Sequence, residues 1–157
     1  VETLKNIDYG KLDMIAIIYD GRDYLECIPS DNPNDPHELS TYTGGLRTAI
    51  ENIQNTYPYI RIVVMSHTFA QSIDANGNYQ NGGSTDLGNV ALPHYLLKEI
   101  DVAISCGFSI IDNFYGTINE DNYHDYMSDY IHLNDAGREA MAARLAEFVN
   151  TGRTSAR

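Results

Sequence analysis

Two short, nearly unbroken apolar runs constrain what this chain can fold into. Leu12 to Tyr19 reads Leu-Asp-Met-Ile-Ala-Ile-Ile-Tyr, and Ile60 to Met65 reads Ile-Arg-Ile-Val-Val-Met. A strand with one face in water alternates apolar and polar residues. A run of this length without alternation, rich in β-branched residues, suits a strand covered on both faces. Between the runs, Leu39, Leu46, Ala49, Ile50 and Ile53 recur at helical spacing up to Pro58, and Ser40 or Thr41 supplies an N-cap. A second helical pattern carries Leu96, Leu97, Ile100, Ala103 and Ile104, with Pro93 in its first turn and Gly107 as its stop. Phe108 to Ile111 is a short third strand. Asn134 or Asp135 then caps a helix with Met141, Leu145, Phe148 and Val149 on one face, and Gly152 ends it. This order of strand, helix, strand, helix, strand, helix predicts an α/β fold: a three-layer, flavodoxin-like sandwich with a parallel sheet. Asn76-Gly77 is a turn signal and adds a small hairpin between Gln71 and Gly83.

At 157 residues the chain suits one domain, with residues 1–150 forming it and 151–157 a frayed tail. The net charge of −12, from 22 acids against 10 bases, is spread along the chain. It argues against nucleic acid or an anionic membrane as partner, since both require a basic face. No apolar run exceeds strand length, so no membrane span is expected. Cys27 and Cys106 fit no CxxC spacing, and His37, His67, His94 and His124 share no ligand pattern with a second donor. Neither a metal nor an organic cofactor is expected.

In parallel sheets, sites collect beyond the C-terminal strand ends. Here those ends fall near Asp20, Ser66 and Asp112. Asp129 and His132 follow in the loop after the third strand, on the same side. A carboxylate that orients a neutral imidazole is the base half of a serine-hydrolase triad. The same spacing also suits a pair that merely caps the last helix. Ser66 and His67 are candidates to line the pocket. Tyr115, Tyr123, Tyr126 and Tyr130 lead into the Asp-His pair. Their rings suit sugar rings or an acyl chain, and they equally suit packing of a long loop. Tyr123 and Tyr126 are the substrate-binding candidates among them.

The order of these features resembles the SGNH (GDSL-like) hydrolase family. Asp129-x-x-His132, then Leu-Asn, Gly137 and an alanine-rich helix, is similar to that family's last block. Leu12 to Asp23 resembles its third block, a buried strand ending in a Gly-x-Asn-Asp-type turn. Gly45-Leu46-Arg47-Thr48-Ala49-Ile50, followed by Tyr57-Pro58 and a strand, resembles the connection between them. The likeness covers essentially the whole chain, but only the C-terminal portion of a family domain. It implies a serine-dependent ester hydrolase acting through an acyl-enzyme, with His132 as general base and acid and Asp129 orienting it. The substrate class would be a small-molecule ester, an acylated sugar or a lipid.

This sequence departs from the family pattern at three places. The Gly-Asp-Ser turn of the first block and the glycine of the second do not occur here. The resemblance therefore puts the nucleophile upstream of Val1, in an N-terminal part of the domain, clipped or separate, that would act as a partner. Such a portion by itself would leave an apolar sheet edge uncovered. In the third block Arg22 stands where the family has its oxyanion-hole asparagine, and an ion pair with Asp20 or Asp23 is its plainer role. Ser66 and Ser84 are weaker nucleophile candidates, since no Gly-x-Ser-x-Gly elbow surrounds either. A different class of function also fits: a degenerate, non-catalytic α/β domain that binds a carbohydrate or a protein partner.

Overall fold

The computed structural model describes residues 6–152. Three parallel strands, β1 (Met14–Ile18), β2 (Arg61–Met65) and β5 (Ser109–Ile111), form a sheet in the order β1-β2-β5. A hairpin of β3 (Gln71–Ile73) and β4 (Tyr79–Asn81) stands apart from it. The helices are α1 (Arg22–Leu25), α2 (Tyr42–Thr56), α3 (Leu92–Cys106), α4 (Tyr123–Tyr126) and α5 (Asp135–Thr151).

The central strand explains the three layers. Successive side chains of β2 point to opposite faces. Ile62 and Val64 pack with Leu46 and Ile50 of α2 and Val102 of α3. Val63 and Met65 pack on the other side with Ile111, Met141 and Phe148, the last two from α5. Both faces of β2 are thus dry, which is why its sequence does not alternate. Each such side chain, fully buried, contributes about 1.5–3 kcal/mol.

The expected caps are in place. The Thr41 hydroxyl accepts from Gly44 N at 3.1 Å at the start of α2, and Asn134 Oδ1 accepts from Gly137 N at 2.9 Å at the start of α5. Gly107 closes α3 with φ of 74°. Gly152 ends α5 as expected, and the remainder of the tail, 153–157, lies outside the described residues.

One helical face differs from the sequence expectation. Leu97 and Ile104 are 57% and 79% exposed, while Tyr95 and Glu99 are buried. Packing, not hydropathy, selects this face. Tyr95 stacks edge-on against Tyr42 at 5.2 Å, and its hydroxyl donates to the Ile28 carbonyl at 2.5 Å. Glu99 is fully buried and accepts a hydrogen bond from the Tyr42 hydroxyl, and its Oε2 has no hydrogen-bond partner among the described residues. Burial pushes the Glu99 carboxyl up to about 8.

β1 pairs only with β2, so its outer edge is open among the described residues. Along that edge runs an apolar groove of about 430 Å³, lined by Tyr9, Leu12, Ile15, Ile17, Ile53 and Tyr57 among others.

Candidate active site

All three strands run in one direction, and their C-terminal ends carry the residues that matter. The ladder continues past the strands: Tyr19 N donates to Met65 O at 3.1 Å, and Ser66 N to Ile111 O at 3.0 Å. After β1 the chain turns at Gly21, whose φ of 79° suits glycine, and enters α1 at Arg22.

The loop from Met127 to Leu133 is closed by an antiparallel bridge between these two residues. Within it Asp129 performs two tasks. Its Oδ1 accepts from Ile131 N at 2.9 Å and His132 N at 2.7 Å. Its Oδ2 meets His132 Nδ1 at 2.7 Å. These backbone donors, with the imidazole, hold the carboxyl down at about 2. Asp129 is therefore a carboxylate at any physiological pH. It is an acceptor only, so a neutral His132 carries its proton on Nδ1 and leaves Nε2 as an acceptor.

Three further contacts fix this loop. Ser128 N donates to the His132 carbonyl at 2.8 Å, and Gln71 N donates to the Tyr130 carbonyl at 2.8 Å, tying the loop to the hairpin. Gly137 presses against the loop's base, where a Cβ would sit 2.3 Å from the Tyr126 carbonyl. No side chain fits that gap, which explains a glycine in the first turn of α5. The capping alternative for the Asp-His pair does not describe this geometry: Asn134 caps α5, while Asp129 binds its own loop and the imidazole.

His132 shares a cleft of about 230 Å³ with Asp20, Arg22, Leu25, Glu26, Tyr130 and Ile131. The β1 turn and the last loop, more than 100 residues apart in the chain, are thus brought together. Arg22 is 3.7 Å from Asp20 Oδ2, in the ion pair anticipated as its plainer role, with both side chains about two-thirds exposed. It lines the His132 cleft at the same time.

Three expected pocket residues, Ser66, His67 and Tyr126, lie outside the His132 cleft. Ser66 is fully buried, its hydroxyl accepting from Asn113 N at 2.9 Å and its carbonyl from Asn113 Nδ2 at 3.0 Å. It locks the ends of β2 and β5 together and lines neither loop cleft. Its neighbour His67 is buried too, and burial lowers its imidazole to about 4, so it stays neutral. Tyr126 packs with the Met141 and Phe148 cluster and is not among the residues lining the His132 cleft. Tyr123 does line one, on the other side of the Asp129 turn. Asn113, wholly buried, was not singled out in the sequence. No motif marks it, because its partner Ser66 lies 47 residues away in the chain.

Among the described residues the His132 cleft holds no serine, threonine or cysteine. Nor do the described residues contain a cluster of three or more His, Cys, Asp or Glu able to hold a metal ion. No helix among them is long and apolar enough to cross a membrane.

Comparison with known proteins places the fold. The chain matches no known family and no curated protein. Solved structures do resemble it. A crystal structure of a protein from Lactobacillus plantarum aligns with a TM-score of 0.79 at 19% identity, over 96% of this chain and 72% of that one. The crystal structure of a possible lipase from Chitinophaga pinensis aligns with a TM-score of 0.69 at 14% identity, over 91% of this chain and 74% of that one. At such identities the likeness is one of fold: a flavodoxin-like α/β architecture.

Proposed function

We propose that this chain carries the Asp-His half of a serine-dependent ester hydrolase of SGNH type. The observation that carries the reading is the Asp129–His132 pair, oriented at 2.7 Å beside a cleft at the C-terminal edge of a parallel sheet. The structural likeness to a possible lipase supports it. His132 Nε2 takes the proton of a serine hydroxyl as the oxygen attacks the ester carbonyl, and then returns it to the leaving alcohol. Asp129 stabilises the imidazolium in between. Water releases the acyl-enzyme by the same route.

The nucleophile belongs, in this reading, to a segment upstream of Val1. The open edge of β1 and the apolar groove beside it suit a further parallel strand. A strand added there would end beside the Asp20–Arg22 turn, and a serine just past its end would face His132. Fluorophosphonate labelling of the intact protein, read by peptide mass spectrometry, tests this. An adduct on a serine upstream of Val1 is the expected result. An adduct on Ser84 or another serine of the 157 residues would reject the upstream nucleophile. No adduct on folded protein would favour a non-catalytic, carbohydrate- or protein-binding domain, a reading that draws on the serine-free cleft.

Arg22 is assigned the oxyanion contact, since it lines the cleft and its guanidinium donates hydrogen bonds. Arg22→Ala is expected to lower kcat by about 100-fold, the usual cost of one oxyanion donor. Unchanged turnover would leave Arg22 as a partner of Asp20 alone.

A further inference from the structure

A second cleft, of about 320 Å³, lies on the other side of the Asp129 turn, between the hairpin, α4 and the loop. Tyr79, Tyr123, His124, Gln71 and Tyr130 line it, and Tyr130 also lines the His132 cleft. The hairpin register pairs Gln71 with Asn81 and Ile73 with Tyr79, which sets Gln71 and Tyr79 on one face. Tyr123 and His124 stack with ring centres 3.9 Å apart on the opposite wall.

Tyr79 is the unusual member. It is 62% exposed, and its side chain has no hydrogen-bond or ring partner among the described residues. The similarly exposed Tyr59 and Tyr115 each lean on a neighbouring ring. The Gln71 amide is likewise without a side-chain partner among the described residues. Both groups are held in place by backbone, through the β3–β4 ladder and the Gln71–Tyr130 hydrogen bond.

We infer that this cleft binds neutral pyranose rings, so that the ester cleaved at His132 is an acyl group on a carbohydrate. A pyranose presents a C–H face that stacks on tyrosine and a hydroxyl rim that pairs with an amide. A bare acyl chain would require a drier pocket than one interleaved with Gln71, Ser128 and Asp129. The net charge of −12 disfavours anionic sugars. The part concerning the ester rests on the hydrolase reading, whereas the sugar cleft does not.

The test is calorimetric titration of the intact protein with neutral, unacylated hexasaccharides of β-linked glucose, xylose and N-acetylglucosamine. Hydrolysis of p-nitrophenyl acetate is measured alongside. One hexasaccharide is expected to bind, Tyr79→Ala to weaken it by about tenfold, and Tyr79→Phe to retain it within about twofold. Turnover of p-nitrophenyl acetate should be the same in both variants as in the natural protein. Absence of binding by all three sugars, or equal binding by Tyr79→Ala, overturns the inference. Tyr79-dependent sugar binding without any ester turnover would uphold the cleft and reject the hydrolase reading separately.

Discussion

His132→Ala is expected to abolish ester hydrolysis by the intact protein, lowering kcat by on the order of 10⁴- to 10⁶-fold. His132 is the only imidazole lining the cleft among the described residues, whose other ionisable side chains there are Asp20, Arg22, Glu26 and Tyr130. The fold should be indifferent to the change, because the His132 side chain is 67% exposed. Asp129→Asn is the sharper companion. An asparagine Oδ1 could still accept from Ile131 N and His132 N. Its amide would then face His132 Nδ1, donate to it, and drive the imidazole proton onto Nε2. The base would be in place but in the wrong tautomer, with a loss of about 10⁴-fold. Initial rates on a chromogenic ester, with a thermal melt for each variant, check both. Residual turnover near the natural level in His132→Ala would end the catalytic reading of the pair.

The second large effect concerns stability and depends on pH. Glu99 is buried, and its carboxyl rises from an ordinary 4.5 to about 8 in the folded protein, chiefly through burial. Below pH 4.5 folded and unfolded chains both hold this proton, and the group exerts no pH-dependent cost. Between there and about pH 8 the unfolded chain ionises while the folded one does not, so stability falls as pH rises. The slope is about 1.4 kcal/mol per pH unit while that window lasts, and amounts to a few kcal/mol across it. Glu99→Gln removes the proton while keeping an acceptor for the Tyr42 hydroxyl. Its stability relative to the natural protein should therefore climb steadily from pH 5 to pH 8 and then level off. The unpartnered amide of the variant adds an offset of about 1–3 kcal/mol that does not vary with pH. The slope is thus the readout. Denaturant titrations across that range supply it, and two parallel stability curves would contradict the buried, protonated carboxyl.

The fold was legible because its strongest signals are local. The unbroken run of β2 reports a strand covered on both sides, and Thr41, Asn134 and Gly107 mark helix ends through their own backbone hydrogen bonds or φ angles. The Asp129–His132 pair was legible for the same reason: three residues of loop suffice to close it. Other features depend on partners distant in the chain, and these required the tertiary structure. Which face of α3 is buried follows from Tyr42 and Ile28, whose contacts draw in Tyr95 and Glu99 and leave Leu97 and Ile104 in water. Ser66 stands at a strand end, as a site residue would, yet Asn113 reaches back from the end of β5 and seals it into the core. Tyr123 and Tyr126 are indistinguishable in the sequence, and both pack against the core cluster that includes α5, while Tyr123 also lines a cleft. By itself, then, the sequence determined the layers, the caps and the Asp-His turn, since short-range hydrogen bonds and side-chain period encode them. The meeting of Arg22 with His132, the burial of Ser66 and the tyrosine cleft were decided only by the tertiary structure. Each depends on segments far apart in the chain being packed against one another, and side-chain period within a segment carries no record of that.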